Sequence, residues 1–365
     1  MLKLVITASM SLNHNKRFPF DHKTRLAIFA QGELAGSRSK TAQGLLRYVG
    51  RQVVCVIDST KAGQSLEAIT GIKHPGPIVS DIKEALAYKP QAIVIGIALS
   101  GGKLPLEWRH ELKLACSYKL DIINGLHDFL SEDKEFSALA QENSVNLIDL
   151  RKPPEKQTVA TGLSRNTKAK RILTVGSDCS SGKMTVAVEL TNLAVNQKHK
   201  ASFIATGQTG ILVAGGVGVG IDRVIGDFMA GAIEDLVVEQ DLDNDFLFIE
   251  GQGSIFHPGF SGVTLAILHG SCPDGLILCH NAKQLTIKEG DIVIPDLKTI
   301  INTYESLTKP IHAAKVVGIA LNTRNLDENE AKDLIAEVES ETGLVTCDPV
   351  RFGADRLLQI ITDLV

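Results

Sequence analysis

The chain has 365 residues, of which 44% are hydrophobic and 22% are charged, and its formal net charge is −4. This length favours two domains, and the weak negative charge without a long Lys/Arg cluster argues against a nucleic-acid partner. The opening residues lack a convincing signal-peptide cleavage site, and no apolar stretch is long enough to span a bilayer. We therefore expect a cytoplasmic protein with no membrane partner. The six cysteines contain no CxxC pair, which is typical of reduced thiols in that compartment.

The first half of the chain alternates short buried strands with amphipathic helices. Strand RLAIFAQG is followed by helix SRSKTAQGLLRYVG and by strand QVVCVID, which ends at Asp58. Helix DIKEALAY, strand QAIVIGIA, helix LEWRHELKLACSY and strand DIINGL follow in the same alternation. This pattern predicts a parallel sheet with helices on both faces, a Rossmann-like domain over residues 25–150 after an extension of residues 1–24. The first turn has the spacing G-x-x-x-G instead of G-x-G-x-x-G, so nicotinamide chemistry is not expected.

The second half begins after a predicted linker. Residues 151–170 contain two prolines and little apolar periodicity. The domain predicted over residues 171–365 starts with strand RILTVGS, a glycine-rich loop and helix MTVAVELTNLAVNQ. Strands SFIATG, DFLFIEG, GLILCH and VVGIALN follow. The predicted fold class is α/β, an N-terminal Rossmann-like parallel sheet followed by a P-loop NTPase-like α/β domain.

The glycine-rich loop VGSDCSSGKMTV is a variant of the usual phosphate-binding loop. Five residues instead of four separate Gly176 from Gly182, and Met184 stands where the hydroxyl residue is usual. The loop joins a strand to a helix, where backbone N–H groups and the positive helix end converge on an anion, and Lys183 can reach the same phosphates. The expected phosphate contacts are Gly176, Ser177, Cys179, Ser180, Ser181, Gly182, Lys183, Met184 and Thr185.

Three segments resemble the dethiobiotin synthetase branch of P-loop proteins. GSDCSSGKMT matches that branch's G-x5-G-K loop, and DFLFIEGQGS resembles its strand ending in Glu-Gly-x-Gly, where the acid helps to hold magnesium. IALNTRNLDENEA resembles its late strand ending in Asn, whose amide reads the purine. This resemblance implies an ATP- and magnesium-dependent ligase or kinase, with Asn322 as the base contact.

The chain resembles more closely a family of two-domain proteins that were long labelled as of unknown function and are associated with D-glutamate N-acetyltransferases. The resembling segments are GSDCSSGKMT, EGQGSIFHPGFSGVTLAILHGSCPDGLILCH and the strand ending at Asn322, and the resemblance covers most of the chain after residue 24. The family also has Met at the position of Met184. The resemblance implies acetyl-CoA-dependent N-acetylation of an acidic amino acid such as D-glutamate. A nucleotide-sensing regulatory protein is the non-catalytic alternative.

The loop leaves two cofactors open, acetyl-CoA and ATP. Met184 removes the usual hydroxyl ligand of magnesium, and Thr185 points about 100° further round the helix. A coenzyme A pyrophosphate needs N–H groups and a Lys but no metal-assisted cleavage. If magnesium is bound with ATP, the expected ligands are Thr185, Asp227 and Glu250.

Polar residues at the carboxyl ends of the strands are the candidates for chemistry, together with Lys183. Glu250 is read as a general base or metal ligand, or as a helix-capping carboxylate. His257 can take a proton from an amine nucleophile or bond to backbone. Asp178 can orient Lys183 or a substrate amine, or form a turn. Cys179 is a potential thiolate at a helix N-terminus, although its small size is reason enough to place it there.

The segment TGQTGILVAGGVGVGID is rich in glycine and follows a strand end. Thr206, Gln208 and Thr209 can offer hydroxyl and amide contacts to a carboxylated substrate; the alternative is a mobile surface loop. Long ordered loops in such folds are commonly lids or binding loops. The expected partner is thus a small acidic amino acid, and a symmetric homo-oligomer is the general expectation for a metabolic enzyme.

Overall fold

The computed structural model describes residues 18–36, 38–98, 102–288 and 290–364. The chain divides into two units. Of the described residues, the first holds those from Phe18 to Pro153 together with Gln208–Arg223, and the second holds Pro154–Gly207 together with those from Val224 onward. Within the described residues each unit has one six-stranded sheet, and every strand pair in it is parallel. The α/β fold class predicted from the sequence is confirmed.

The first sheet is built from short apolar strands. They are β1 (Leu26–Phe29), β2 (Val53–Ile57), β3 (Ile78–Val79), β4 (Ala92–Ile95), β5 (Asp121–Asn124) and β6 (Leu147–Asp149). The helices of this part of the chain are α1 (Lys40–Tyr48), α2 (Leu66–Thr70), α3 (Ile82–Ala85), α4 (Leu106–Ser117) and α5 (Lys134–Asn143). The strand order β3-β2-β1-β4-β5-β6 is that of a doubly wound dinucleotide-binding fold. Every residue of β1 and β4 is buried, as expected for a parallel sheet covered on both faces.

The second sheet surrounds the strand that leads into the glycine-rich loop. Its strands are β7 (Lys170–Gly176), β8 (Ala201–Ile204), β9 (Phe246–Ile249), β10 (Gly275–Asn281), β11 (Lys315–Asn322) and β12 (Thr346–Cys347). The helices after residue 170 are α6 (Lys183–Asn196), α7 (Gln208–Val213), α8 (Gly226–Gln240), α9 (Ser261–Ser271), α10 (Leu297–Thr308), α11 (Glu328–Thr342) and α12 (Asp355–Thr362). The order β12-β11-β10-β7-β9-β8 places later strands on both sides of β7. Ligands of such sheets bind at the carboxyl ends of strands where the order reverses, which here is the end of β7.

Short-range side-chain chemistry sets several helix boundaries of the second unit. Asp296 caps α10 by accepting the backbone N–H of Thr299. Asp327 and Glu330 form a capping box at the start of α11, and Gly343 ends that helix in the left-handed conformation.

Most of the predicted linker packs against the second unit. The buried carboxylate of Glu234 in α8 accepts the backbone N–H groups of Thr161 and Leu163. The hydroxyl of Ser164 donates to the carbonyl of Gly270 at 2.7 Å. The division between the units falls between residues 153 and 154, so the greater part of the 151–170 segment is docked structure, with its own hydrogen bonds.

The glycine-rich segment after β8 packs with the first unit, although the sequence placed it within the domain of residues 171–365. The hydroxyls of Thr209 and Thr41 lie 2.8 Å apart, and the guanidinium of Arg151 donates to the side-chain oxygen of Gln208. The apolar residues of α7 are buried, which explains why the segment forms a packed helix where the composition suggested a loop.

The predicted N-terminal extension is described only from residue 18. Phe18 and Phe20 are buried, and both lie near Gly216 of the glycine-rich segment. The remainder of the extension, residues 1–17, lies outside the described residues. No helix in the described ranges combines the length and the apolar character that crossing a bilayer requires.

Candidate functional site

The loop between β7 and α6 is shaped by two glycines. Gly182, directly before α6, has φ +100°, a left-handed value that favours glycine. Gly176 ends β7 beneath the loop, and a Cβ built on it would lie 2.6 Å from the Ser181 hydroxyl and 2.7 Å from the Lys183 ammonium. A side chain at residue 176 would therefore displace the Ser181 hydroxyl and the Lys183 ammonium.

Lys183 is the first residue of α6 and is 6% exposed. Its ammonium donates to the backbone carbonyl of Asp178 at 2.9 Å and to the Ser181 hydroxyl at 3.3 Å. Burial lowers the pKa of this ammonium, and nearby acidic groups, Glu250 among them, act in the opposite direction. Among the described residues, no carboxylate lies within 4.0 Å of this ammonium. A buried cation in this position is electrostatically incomplete and suited to an anionic ligand.

Glu250 directly follows β9 and is buried. One carboxylate oxygen accepts the backbone N–H groups of Thr206 and Gly207 at 3.0 and 3.3 Å, and the other accepts the Gln252 amide at 3.0 Å. Burial raises the pKa of Glu250 to about 7, against the opposing effect of these hydrogen bonds and of Lys183. Its carboxyl group can therefore exchange a proton near neutral pH.

Asp178, Cys179 and His257 form a cluster. Each offers one ligand atom, and these atoms all lie within 4.8 Å of one another. Asp178 is fully buried, whereas Cys179 and His257 are half-buried. The sequence treated these residues as separate candidates, and the structure brings them together.

The predicted magnesium ligands, Thr185, Asp227 and Glu250, lie in three different parts of the second unit. Both oxygens of Glu250 already accept N–H groups, and Asp227 is an exposed residue in the first turn of α8. Thr185 is half-buried in the first turn of α6, one position beyond Met184. Neither Asp227 nor Glu250 belongs to the cluster of metal-ligating residues found in the described chain. Three N–H donors therefore orient the Glu250 carboxylate, and its Oε1 accepts only one of them among the described residues.

The predicted substrate contacts separate into two groups. The hydroxyl of Thr206 donates to the backbone carbonyl of Glu250 at 2.8 Å, so Thr206 supports the second-unit site. Gln208 and Thr209 instead contact Arg151 and Thr41 within the first unit. Asn322 ends β11 with an exposed side chain, whose amide donates to Asn281.

Two further polar residues, His280 and Tyr304, form hydrogen bonds with the loop. The Ser177 hydroxyl lies 2.8 Å from Nδ1 of His280, and burial lowers the pKa of that imidazole. Tyr304 of α10 donates its hydroxyl to the Gly176 carbonyl at 2.8 Å and accepts the N–H of Ile255. Burial raises the pKa of Tyr304 to about 12, so it stays protonated as a donor. Sequence reasoning missed Tyr304, because a tyrosine in an amphipathic helix looks like an ordinary core residue.

Gln284 and the backbone of Lys288 were also missed. Both donate to the same carboxylate oxygen of Asp178, at 2.7 and 2.6 Å. They lie in an irregular stretch after β10 whose sequence carries no motif. The only available signal was its position after a strand that ends at the same sheet edge as β7.

Comparisons with known proteins agree with this architecture. A family model described as "Domain of unknown function (DUF1611_C) P-loop domain" matches residues 158–358, and one described as "Domain of unknown function (DUF1611_N) Rossmann-like domain" matches residues 59–153. A Tritonibacter scottomollicae protein named D-glutamate N-acetyltransferase is 40% identical over 282 residues, 77% of this chain and 84% of that protein. A protein of the same name from Pseudoalteromonas sp is 38% identical over 324 residues, 87% of this chain and 93% of that protein. The chain is also similar to the crystal structure of a DUF1611 family protein from Anabaena variabilis. The two sequences are 43% identical, the TM-score is 0.90, and the match covers 93% of this chain and 99% of that one.

Proposed function

Because the chain belongs to the DUF1611 family and is similar to two proteins named D-glutamate N-acetyltransferase, we propose that it is an N-acetyltransferase. The acetyl donor is acetyl-CoA, and the acceptor is the amine of an acidic amino acid such as D-glutamate. Both the donor and the acceptor are part of the proposal.

The buried ammonium of Lys183 is the observation that carries the proposal. It lies at the N-terminus of α6 and donates, among the described residues, to a carbonyl and a hydroxyl, in a loop that requires glycine at residue 176 for space and favours it at residue 182 for its left-handed backbone. A phosphate group there would receive the helix N–H groups and would pair with the ammonium. The pyrophosphate of coenzyme A has this chemistry, and the bound coenzyme would supply the acetyl thioester.

Glu250 is the proposed proton acceptor. An amine must lose a proton as it attacks the acetyl carbon, and the acceptor works best when its pKa is close to the operating pH. Burial raises the pKa of Glu250 to about 7, which meets that requirement. The N–H groups of Thr206 and Gly207 hold the carboxylate in one orientation, so little reorganisation is needed when the proton moves.

The ATP-dependent ligase or kinase remains the alternative that must be tested. Met184 removes the hydroxyl that normally binds magnesium in such loops. This observation favours a phosphate group that is held without being cleaved.

The test is an acetyl-transfer assay with acetyl-CoA and D-glutamate in buffer freed of ATP and magnesium. We expect N-acetylglutamate by mass spectrometry and equimolar release of the free coenzyme thiol, with less product from L-glutamate. Glu250→Gln should leave acetyl-CoA affinity nearly unchanged and lower kcat about 100-fold or more. The exposed Glu239→Gln serves as the matched control and should behave as the wild type. A reaction that needs both ATP and magnesium would overturn the proposal.

A further inference from the structure

The cluster of Asp178, Cys179 and His257 contains a buried carboxylate oxygen that no donor satisfies. Asp178 is fully buried, and its Oδ2 accepts the Gln284 amide and the Lys288 backbone N–H. Its Oδ1 is buried and has no hydrogen-bond partner in the described part of the chain. A buried charged oxygen without a partner is costly by about 1–3 kcal/mol or more, which points to a cation as the missing partner.

The hydrogen bonds of His257 determine which of its ring nitrogens carries the proton. Nε2 lies 3.3 Å from the carbonyl of Lys288, and Nδ1 lies 3.2 Å from the backbone N–H of Gly259. A carbonyl can only accept, so the tautomer that satisfies both contacts carries the proton on Nε2 and accepts the Gly259 N–H with the lone pair on Nδ1. A metal ion bound at Nδ1 would take the place of this N–H. Histidines that bind metals characteristically donate their other ring N–H to a carbonyl or carboxylate in this way.

One peptide group orients two of the three side chains. The N–H of Lys288 bonds Asp178, and the carbonyl of Lys288 accepts from His257. Each of Asp178, Cys179 and His257 offers one ligand atom to the same 4.8 Å group, and Oδ1 is the Asp178 oxygen that has no partner among the described residues. Tetrahedral bonds of about 2.0–2.3 Å separate ligand atoms by about 3.3–3.8 Å, which this spacing allows after small side-chain adjustments.

These contacts argue against a catalytic Cys–His–Asp triad. In a triad the carboxylate accepts a ring N–H of the histidine and holds its orientation. Here that N–H points to the Lys288 carbonyl, and Oδ1 of Asp178 accepts nothing.

The geometry points to a binding site for a divalent transition-metal ion of the zinc class, held by Asp178, Cys179 and His257. Sulfur, imidazole nitrogen and carboxylate oxygen together are the donor set that suits zinc, and three protein ligands leave one coordination position for water or a substrate oxygen. The thiolate and the carboxylate would balance the charge of the ion, so the nearby ammonium of Lys183 faces a neutral centre. The site does not depend on the identity of the acyl donor or acceptor.

The experiment measures metal retention directly, apart from activity. The protein, stripped with a chelator, is loaded with Zn²⁺ or Co²⁺, desalted and analysed by mass spectrometry of the metal and by absorption spectroscopy. We expect about one equivalent bound and, with Co²⁺, a thiolate-to-metal charge-transfer band with the strong visible bands of tetrahedral coordination.

Variants then assign the ligands. Cys179→Ser should lose the charge-transfer band, and His257→Asn and Asp178→Asn should each retain at least about tenfold less metal. Gln284→Leu removes the orienting bond to Asp178, together with the bonds of Gln284 to Asn281 and Thr286, and should weaken metal binding about tenfold. Cys116→Ala and the exposed His110→Asn are matched controls outside the cluster and should bind as the wild type. Circular dichroism verifies that each variant is folded.

Two results would overturn the site: wild-type protein that retains almost no metal, or a Cys179→Ser variant with the same stoichiometry and the same cobalt spectrum. Because the wild-type spectrum requires no variant, the inference stays testable even if a substitution disturbs folding. Acetyl transfer is assayed separately, so failure of the proposed reaction and failure of the metal site give different results.

Discussion

The two units each contain a turn that leads from an inner strand of a parallel sheet into a helix, and the two turns differ in where the nearby carboxylate is directed. In the first unit, Asp58 at the end of β2 is fully buried. Its two carboxylate oxygens accept the backbone N–H groups of Gly32 and Leu34, both at 3.1 Å, in the turn after β1. The protein's own carboxylate occupies the position that an external anion would take.

In the second unit, the carboxylate nearest the turn is directed elsewhere. Asp178 lies within the loop, but its Oδ2 accepts N–H groups from Gln284 and Lys288. The ammonium of Lys183 is left with a carbonyl and a hydroxyl as its partners. The two turns thus differ in charge: a carboxylate fills the first, whereas in the second the ammonium of Lys183 has no carboxylate within 4.0 Å among the described residues.

Replacing Lys183 with Ala should have the largest effect. Loss of a charge-assisted bond to phosphate is worth about 2–3 kcal/mol, so affinity for coenzyme A or a nucleotide should fall about 100-fold, while the free energy of unfolding changes little. Calorimetric titration and denaturant unfolding measure the two quantities. Lys309→Ala, at an exposed position, is the control. Wild-type affinity in the Lys183 variant would remove this loop from the binding site and end the contrast between the turns.

Asp58→Ala tests the first turn and should lower the free energy of unfolding while leaving ligand affinity at the second-unit loop nearly unchanged. The N–H groups of Gly32 and Leu34 would lose their acceptor, and we expect the free energy of unfolding to fall by about 2 kcal/mol. Ligand affinity at the second-unit loop should stay within about twofold of the wild type. Stability is followed by urea unfolding and affinity by titration. If the variant gained affinity for phosphate-containing ligands through the emptied first turn, both turns would have to be regarded as anion sites.

The pH dependence of the free energy of unfolding gives a further test of the second unit, with a smaller expected effect than the two substitutions. The folded-state pKa of Glu250, about 7, lies above its ordinary value of 4.5 because the carboxyl is buried. The folded protein therefore binds this proton more tightly than the unfolded chain does. The resulting stabilisation is complete below about pH 4.5 and is lost as pH rises through about 7, with a decrease of about 2 kcal/mol between pH 5 and pH 7.

Glu250→Gln cannot titrate and should flatten this part of the stability profile. Urea unfolding of the wild type and the variant at several pH values between 5 and 8 measures the difference. Parallel profiles would show that Glu250 is already ionised throughout this range, and the carboxyl would then be a poor proton acceptor for the proposed reaction.

The sequence predicted the alternation of strands and helices in both units because each strand is a short apolar run and each unit repeats the same local pattern. It also predicted the phosphate-binding loop, since Gly176, Gly182 and Lys183 are close in the chain and their spacing carries the geometry. The DUF1611 family membership implied by the motifs is confirmed.

Other features depend on contacts between residues distant in the chain. The sequence places Asp58 at the end of a strand. Whether its carboxylate binds a ribose hydroxyl or accepts N–H groups of a turn depends on where residues 32–34 lie in the fold. The hydroxyl of Tyr304 reaches Gly176 from 128 residues away in the chain. Gln208 and Thr209 looked like substrate contacts from their position after β8, and only the packing of α7 shows that their side chains contact Arg151 and Thr41.

The placement of Gln208–Arg223 has a consequence for how the protein is made. The first unit is interrupted in the chain by Pro154–Gly207, so its last segment leaves the ribosome only after β7, α6 and β8 of the second unit have been synthesised. Domains usually fold as they emerge, N-terminal first, but here a nascent chain released at residue 153 still lacks α7 and the glycines that pack near Phe18 and Phe20. The first unit is therefore complete only after about seventy further residues of elongation.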